Sequence, residues 1–90
     1  MNLPTSLPQK NLKAVDRQQM IKILSAGLAV NSTRFTRQAA LAWLTSFPGD
    51  LEVNLIYARA LMQEKRFLHA APVLLKILRA DPEYAEAAIL

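Results

Sequence analysis

The sequence predicts an all-α protein built from stacked antiparallel helical hairpins. Apolar residues recur at helical spacing from about residue 14 almost to Leu90. The alternation typical of strands does not appear, and the chain contains neither Asn-Gly nor Asp-Gly. Short breaks rich in polar residues, proline or glycine divide the helical pattern into segments of similar length, as expected for consecutive hairpins.

The composition fits one small domain with a hydrophobic core. The chain has 90 residues, of which 52% are hydrophobic and 20% are charged, and it contains no cysteine. This apolar content excludes an intrinsically disordered chain. The lack of cysteine excludes a disulfide-stapled mini-domain and any zinc site built on cysteine. A domain of this size is only marginally stable by itself.

Positive charge is concentrated in the first half of the chain. Residues up to Gly49 include six basic residues and one acid, whereas residues from Asp50 onward include five basic and six acidic residues. A basic half can face nucleic acid, an acidic protein, a membrane surface or simply solvent. No stretch approaches the ~18 apolar residues of a membrane span. The N-terminus lacks the pattern of a signal peptide, so we expect a cytoplasmic protein without a membrane span.

The chain begins with a predicted flexible tail over residues 1–13, which carries two prolines and little periodicity. The helical domain then covers residues 14–90. Its first helix is predicted from Asp16, a good N-cap residue, to about Asn31. The apolar residues of this helix cover more than half of its circumference, so we expect neighbours on two of its faces. These residues are Met20, Ile21, Ile23, Leu24, Leu28 and Val30.

The next two helices are separated by a proline-glycine stop. A second helix follows the polar break at residues 31–33 and is predicted to end near Ser46, before Pro48-Gly49. Asp50 is placed to cap a third helix, which is predicted from Leu51 to about Glu64. The two segments have the lengths expected for neighbouring helices of a hairpin array.

A fourth helix is predicted over roughly Leu68 to Arg79. Pro72 falls near its beginning, where we expect the missing N–H of proline to cost nothing because a first turn has no helical partner for it. Asp81-Pro82 is then expected to end this helix and to begin another over Glu83–Leu90.

The two halves of the chain share marks that indicate an internal repeat. Gly27, Ala39 and Trp43 of the first half match Ala58, Ala70 and Leu74, each displaced by the same distance of about 31 residues. Arg34-Phe35 recurs as Arg66-Phe67 and Pro48 recurs as Pro82, at slightly larger displacements of about 32 and about 34 residues. Each copy is one helix–turn–helix unit, while the register between the copies stays open.

The second copy, residues 51–84, resembles a tetratricopeptide repeat. The resemblance depends on small, large and aromatic residues at set places and on a closing Asp-Pro. These places hold Ala58, Leu61, Phe67, Ala70, Leu74 and Asp81-Pro82. Two small alanines would let the helices approach closely, while Phe67 and Leu74 would fill the remaining space. Ile77 and Pro72 depart from the pattern of the family.

The resemblance implies a right-handed superhelix of stacked hairpins, an α–α solenoid. The first copy, about residues 16–48, fits the pattern less well because its second helix is about three residues short. It is interpreted as a degenerate or capping repeat. Residues 85–90 would be the start of a third repeat, and the whole would be the N-terminal part of a longer array.

The resemblance also implies a concave groove, lined by the first helix of each repeat, that binds an extended or helical peptide. By position the groove would be formed by Ile21, Leu24, Leu28, Glu52, Leu55, Arg59, Met62 and Gln63. Such a groove is largely apolar with one central cation, Arg59. Its positions lack the lysines and asparagines with which some members of the family clamp a C-terminal carboxylate.

Catalytic chemistry finds little support in the sequence. His69 is the only histidine and is expected to be exposed in the first turn of a helix, so no second imidazole or thiol is present to share a metal. The serines lack an evident base. We therefore predict a non-enzymatic protein without a cofactor or metal. Trp43 and Phe67 are predicted to belong to the core.

The predicted function is that of a scaffold for a protein or peptide partner, and two alternatives stay open. One is a self-association or assembly module within a larger repeat protein, and thus a homo-oligomer. The other, less favoured, is a helix-turn-helix nucleic-acid binder over residues 16–46. Its recognition helix would begin with Thr33, Arg34, Thr36, Arg37 and Gln38.

Overall fold

The computed structural model describes residues 16–84, and over this range the chain forms four α-helices and no strand. The helices are α1 (Arg17–Ala29), α2 (Thr33–Ser46), α3 (Leu51–Gln63) and α4 (Phe67–Ala80). The all-α class is therefore confirmed. The predicted tail over residues 1–13 and the predicted start of a third repeat at residues 85–90 lie outside the described residues.

The helices repeat at a uniform interval along the chain. Arg17 and Leu51 begin α1 and α3, and Thr33 and Phe67 begin α2 and α4, so both pairs of starts have the same separation, about 34 residues. The helix ends are displaced by the same amount, and both α2 and α4 have 14 residues. The expectation of a shorter second helix in the first copy is therefore wrong. We call this common displacement the period of the repeat.

The two helices of each hairpin, α1–α2 and α3–α4, are joined by a short turn of the same conformation. Asn31 and Lys65 both have φ near 60°, in the left-handed region. The amide that follows each of them donates to a carbonyl at the end of the preceding helix, from Ser32 to Gly27 and from Arg66 to Leu61, both at 2.8 Å. This is the Schellman ending of a helix. It explains why α1 ends at Ala29 and not at Asn31.

The first helix of each hairpin begins at an aspartate cap. The carboxylate of Asp16 accepts from the amide of Gln18 at 3.1 Å, and that of Asp50 accepts from the amide of Val53 at 3.3 Å. Both caps satisfy amides that a helix start leaves without a partner. The second helices, α2 and α4, have no such side-chain cap.

The close approach of the two helices differs between the hairpins, and this explains why the match of Gly27 with Ala58 is misleading. In the first hairpin the contact is at Gly27, where an added Cβ would overlap the hydroxyl of Thr36. One period later the chain carries Leu61, and the alanine of α3 that was matched with Gly27, Ala58, corresponds to Leu24. Matching the small residues Gly27 and Ala58 therefore shifts the alignment by about one helical turn.

Helix α3 is the centre of the structure, since it contacts α1, α2 and α4. One core cluster lies among α1, α2 and α3, and its buried members are Leu24, Ala40, Leu44, Val53 and Ile56. The expected two neighbours of α1 are α2 and α3, which both contact it. They do not cover all of its apolar residues, since Ile23 is 45% exposed and Val30 is 71% exposed.

A second, smaller cluster lies between α3 and α4. Leu55 and Ile77 are its buried members, and Tyr84 packs against them from beyond the end of α4. Trp43 is partly buried against the first cluster, as predicted for a core residue. Phe67 is 53% exposed, so the prediction that it fills the gap between helices is wrong. Its equivalent in α2, Thr33, is partly buried beside Glu64, whereas no described helix packs beside Phe67 in that way.

The expected position of Pro72 in the first turn of α4 is wrong. The helix begins at Phe67, so Pro72 is its sixth residue and lies beyond the first turn. Proline therefore leaves the carbonyl of Leu68 without its usual helical donor. Leu68 is 89% exposed, which allows water to take the place of that donor.

The chain does not return to a helix at Glu83, where the next helix was predicted to begin. Its amide donates to the side chain of Asp81 at 3.1 Å within a turn, and Tyr84 is also non-helical. The amide of Tyr84 donates to the carbonyl of Asp81 at 3.0 Å, which closes the same kind of turn that the amide of Asp50 and the carbonyl of Phe47 form one period earlier, so Glu83 lies inside that turn. The remainder of the predicted segment falls outside the described residues.

Candidate interaction surface

The predicted groove residues lie on α1 and α3, which pack side by side. Leu24 is 0% exposed and Leu55 is 2% exposed, so these two side chains belong to the core and present nothing to a ligand. Both were predicted to line the groove because sequence position does not show which way a helix is rotated about its axis. The other six retain exposed area: Ile21, Leu28, Glu52, Arg59, Met62 and Gln63.

With the two leucines removed, the surface is mixed in character. Ile21 and Leu28 are partly buried against the first core cluster and show only part of their side chains. At one end, the side-chain amide of Gln63 donates to the carbonyl of Leu28 at 3.4 Å and so bridges α3 and α1. At the other end lies a small depression of about 280 Å³, lined by Arg17, Gln18, Ile21, Lys22 and Glu52.

A hydrogen-bonded network closes that end of the surface. Arg17 binds Asp50 through two parallel bonds of 2.8 Å and donates to Glu52 at 3.2 Å. The indole nitrogen of Trp43 donates to the same carboxylate of Asp50 at 3.0 Å. Because Arg17 begins α1, Trp43 lies near the end of α2 and Asp50 caps α3, one carboxylate ties three helices together.

The network stabilises the charged form of Asp50. Hydrogen bonding to Arg17 lowers the pKa of Asp50 to about 2, although burial acts in the opposite direction. The same contact raises the pKa of Arg17 above its already high ordinary value. The Asp50 side chain is only 7% exposed, whereas that of Arg17 is 48% exposed. The pair therefore lies at the edge of the core, where solvent screens it only partly.

Beside this network is a wide depression of about 650 Å³, lined by Arg17, Trp43, Phe47, Gly49, Asp50 and Leu51. The rings of Trp43 and Phe47 lie 4.6 Å apart at an angle of 36°. Phe47 is 53% exposed. From the sequence, Asp50 is recognisable only as a helix cap, because nothing local indicates that its partner is 33 residues away.

A second polar cluster joins α2 to the end of α3. The carboxylate of Glu64 accepts from Arg37 at 2.8 Å and from the hydroxyl of Thr33 at 3.2 Å. Arg66 lies 3.8 Å from the same carboxylate. The Arg37 and Glu64 side chains are about one-fifth exposed, at 21% and 19%. This cluster secures the face of α2 on which α3 packs.

The helix-turn-helix alternative loses most of its predicted base-reading residues in this arrangement. Thr36 is fully buried, and Thr33 and Arg37 are held by Glu64. Only Arg34 and Gln38 remain exposed, beside an open depression of about 480 Å³. A recognition helix needs three or four side chains that reach base edges together, so this face of α2 is a poor reader of a major groove.

A further depression of about 360 Å³ runs between α2 and α4, with α3 as its floor. It combines apolar side chains with a few polar ones, and Leu41 at its edge is 48% exposed. Its lining residues are Leu41, Leu44, Thr45, Asn54, Tyr57, Pro72, Val73 and Lys76. The second helices of the two hairpins thus flank a shallow channel on the side away from α1.

The described residues carry few groups suited to chemistry. Within residues 16–84, no three His, Cys, Asp or Glu side chains are close enough together to hold a metal ion. His69 is the third residue of α4 and is exposed, as predicted. None of the helices in this range has the length and apolar character needed to cross a membrane.

No protein-family model, curated protein or solved structure matches this chain. The useful comparison is therefore internal, between the hairpin α1–α2 and the hairpin α3–α4. Because the two are related by a uniform shift of one period, every contact of one hairpin identifies an equivalent position in the other.

Proposed function

We propose that this chain is a protein–protein interaction scaffold of the tetratricopeptide type, whose hairpins stack into a right-handed superhelix. The uniform displacement between the hairpins supports this proposal, because a period of about 34 residues is the repeat length of that class. The second copy adds small residues at Ala58 and Ala70, both fully buried, where close helix packing needs them.

The binding surface in this proposal is the one shared by α1 and α3. The observation that carries it is that six of the eight predicted positions keep exposed area while their helices pack side by side. Two neighbouring helices form a shallow trough along which an extended chain or a helix can lie. Surfaces of this kind bind through a few apolar anchors surrounded by polar contacts.

The ligand in this proposal is a peptide or helix that carries both apolar and acidic residues. Ile21, Leu28 and Met62 offer apolar contact, and methionine suits a surface that adapts to its ligand. Glu52 is engaged by Arg17, while Lys22 is exposed beside the depression at that end. An acidic side chain of the ligand would pair with Lys22, and apolar side chains would cover Met62 and Ile21.

Selection of short peptides from a random library against the full 90-residue chain tests the proposal. Enriched peptides are expected to shift NMR signals of residues on α1 and α3, and Met62→Asp is expected to weaken their binding by about tenfold or more, since a charge replaces an apolar anchor. Fluorescence anisotropy of labelled peptides gives the affinities.

Leu75→Asp is the matched control. Leu75 is 47% exposed on α4, outside the α1–α3 surface, so the same charge there is expected to leave peptide affinity unchanged. The proposal would be overturned if no peptide were enriched, if enriched peptides shifted signals elsewhere, or if the two variants weakened binding equally. Circular dichroism confirms that both variants are folded before affinities are compared.

A further inference from the structure

Helix α3 packs on one face of α2. This face consists of four residues that follow one another along the side of the helix: Thr33, Arg37, Ala40 and Leu44. Thr33 and Arg37 hold Glu64, the C-cap residue of α3. Ala40 and Leu44 are 0% and 8% exposed and pack in the first core cluster with residues of α3. The contact is therefore ionic at one end and apolar along the rest.

The equivalent face of α4, one period later, is apolar throughout. Its positions are Phe67, Ala71, Leu74 and Leu78. Phe67 is 53% exposed and Ala71 is exposed, whereas Leu74 and Leu78 are only partly buried. Thr33 and Arg37, which carry the ionic contact on α2, are thus replaced on α4 by Phe67 and Ala71. No described helix lies on this face in the way that α3 lies on α2.

The residue of α1 that is equivalent to Glu64 lies one period earlier in the chain. It is Val30, and each of the two is the C-cap residue of its helix. Val30 is 71% exposed. The carboxylate that binds Thr33 and Arg37 is therefore replaced by an apolar side chain on α1, just as its partners are replaced on α4.

Exposed apolar residues thus occur both on α1 and on the face of α4 that is equivalent to the α3-binding face of α2. On α1, Ile23 is 45% exposed and Ala26 is exposed, and they lie two turns and one turn before Val30. These two positions correspond to Tyr57 and Ala60 of α3. At the end of the contact where Glu64 meets Thr33 and Arg37, both equivalent surfaces have lost their charge together. They are complementary at this end because an apolar residue opposite Arg37 or Glu64 would leave a charge without a partner.

We propose that the chain associates with itself head to tail, with α1 of one molecule docked on α4 of the next as α3 is docked on α2. The occupant of the open face of α4 is then a second copy of this chain. The contact continues the α2–α3 interface by one further period. It goes beyond the proposed binding of peptides, and its faces of α1 and α4 share Lys22, but none of the six groove positions, with the peptide surface.

The contact between copies is weaker than the internal one that it repeats. Gln19 and Lys22 of α1 correspond to Val53 and Ile56, the residues of α3 that fill the first core cluster. A copy-to-copy contact therefore has a glutamine and a lysine where the internal contact is most deeply buried, and their polar ends would have to reach solvent at its edge. It is also heterologous, so both ends of any assembly stay open, and growth continues beyond a dimer.

Sedimentation of the full chain over a range of concentrations measures this association. The weight-average mass is expected to rise steadily and to pass twice the monomer mass at the highest concentrations, as weak, open association requires. Val30→Glu is expected to raise the dissociation constant about tenfold or more, because it buries a carboxylate against Phe67 and Ala71.

The decisive experiment introduces an arginine–glutamate pair between the two copies. Ala71→Arg alone is expected to weaken association to a similar degree. The double variant Val30→Glu with Ala71→Arg is expected to recover it to within about threefold of the wild-type constant, since the introduced groups repeat the Arg37–Glu64 pair. A recovery of this kind depends on the head-to-tail geometry, whereas non-specific stickiness would not produce it.

Leu68→Glu is the control for general loss of apolar surface. Leu68 is 89% exposed on α4, but the equivalent Arg34 of α2 is exposed and takes no part in the cluster that binds α3. This variant is expected to associate like the wild type. A monomeric wild-type chain at every concentration, saturation at a dimer, equal loss in Leu68→Glu, or a folded double variant without recovery would each contradict the proposal. Peptide binding is measured separately, and the Val30→Glu variant is expected to retain it.

Discussion

The hairpins α1–α2 and α3–α4 share one backbone plan but pack different side chains to form it. Their helices have equal lengths, their turns place Asn31 and Lys65 in the same left-handed conformation, and their first helices follow equivalent aspartates. In the first hairpin the helices meet at Gly27 and Thr36, whereas in the second the small residues are Ala58 and Ala70. The same backbone therefore forms although the small residue of the close contact lies about one helical turn earlier in α3 than in α1.

The two hairpins also differ in how they are bound to their surroundings. The first is joined to α3 by charged and polar contacts at both ends, through Asp50 and through Glu64. The outer face of α4 in the second hairpin has apolar residues at the equivalent places. Charged contacts select one partner in one register, whereas an apolar face accepts a wider range of helices. The internal interface is therefore expected to be more specific than the proposed contact between copies.

The largest expected effect comes from comparing the two aspartate caps. Asp50→Ala removes the cap of α3 and the bonds from Arg17 and Trp43, and we expect it to lower the free energy of unfolding by about 2–3 kcal/mol. Asp16→Ala, at the equivalent position, removes one exposed cap and is expected to cost about 0.5–1 kcal/mol. Urea unfolding monitored by circular dichroism measures both. Equal losses would show that the three-helix network adds nothing to capping.

The next prediction concerns the close contact of Gly27 with Thr36, which the second hairpin lacks. Gly27→Ala places a methyl group where the Thr36 hydroxyl lies, and we expect it to destabilise the chain by about 1–2 kcal/mol. In a Thr36→Ala background the same change is expected to be neutral or to stabilise by up to about 1 kcal/mol, because alanine is the better helix former. A double-mutant cycle by urea unfolding gives the coupling. A coupling near zero would mean that α1 and α2 separate without cost.

Acid is expected to weaken the Asp50 network in particular. The pKa of Asp50 is lowered from 3.8 to about 2 in the folded chain. A lowered pKa means that the unfolded chain binds the proton first, so this contribution is complete above about pH 4 and is lost as the pH falls towards 2. We expect about 1–2 kcal/mol to be lost over this range. In Asp50→Asn the same fall in pH should cost less, and identical acid profiles for the two proteins would contradict the assignment.

The smallest effects are expected at the two left-handed turn residues. Lys65 bears a steric penalty for its positive φ, so Lys65→Gly is expected to stabilise the chain by about 0.5–1 kcal/mol. Asn31 tolerates this conformation, and Asn31→Gly is expected to change stability by less than about 0.3 kcal/mol. Thermal unfolding of the two variants side by side measures the difference. A larger gain at Asn31 would indicate strain in the first turn.

The order of the helices and most of their boundaries followed from local signals. Aspartates before apolar runs, the Pro48-Gly49 stop and the helical spacing of apolar residues predicted four segments close to those observed. These signals act within a few residues, so they can be recognised without knowledge of the fold. Pro72 was placed too near the start of its helix because proline is usual in a first turn, and Glu83 was placed in a helix because Asp-Pro is compatible with both a helix start and a turn.

The candidate surface was predicted less well than the helices that carry it. The helices were identified correctly, but Leu24 and Leu55 turned out to be buried, because the sequence does not specify how neighbouring helices are rotated against each other. The Arg17–Asp50–Trp43 network was not predicted either. Its members come from three helices and meet only after those helices have packed.

By itself, the sequence determined the helical class, the four segments and the presence of an internal repeat, because periodicity and capping are local properties of the chain. Only the tertiary structure decided the period, since close packing in the two hairpins uses small residues about one turn apart and so misleads an alignment of residue types. It also decided which apolar residues are covered. Burial depends on the neighbours that a helix acquires, and for Val30 and Phe67 the described structure supplies too few of them.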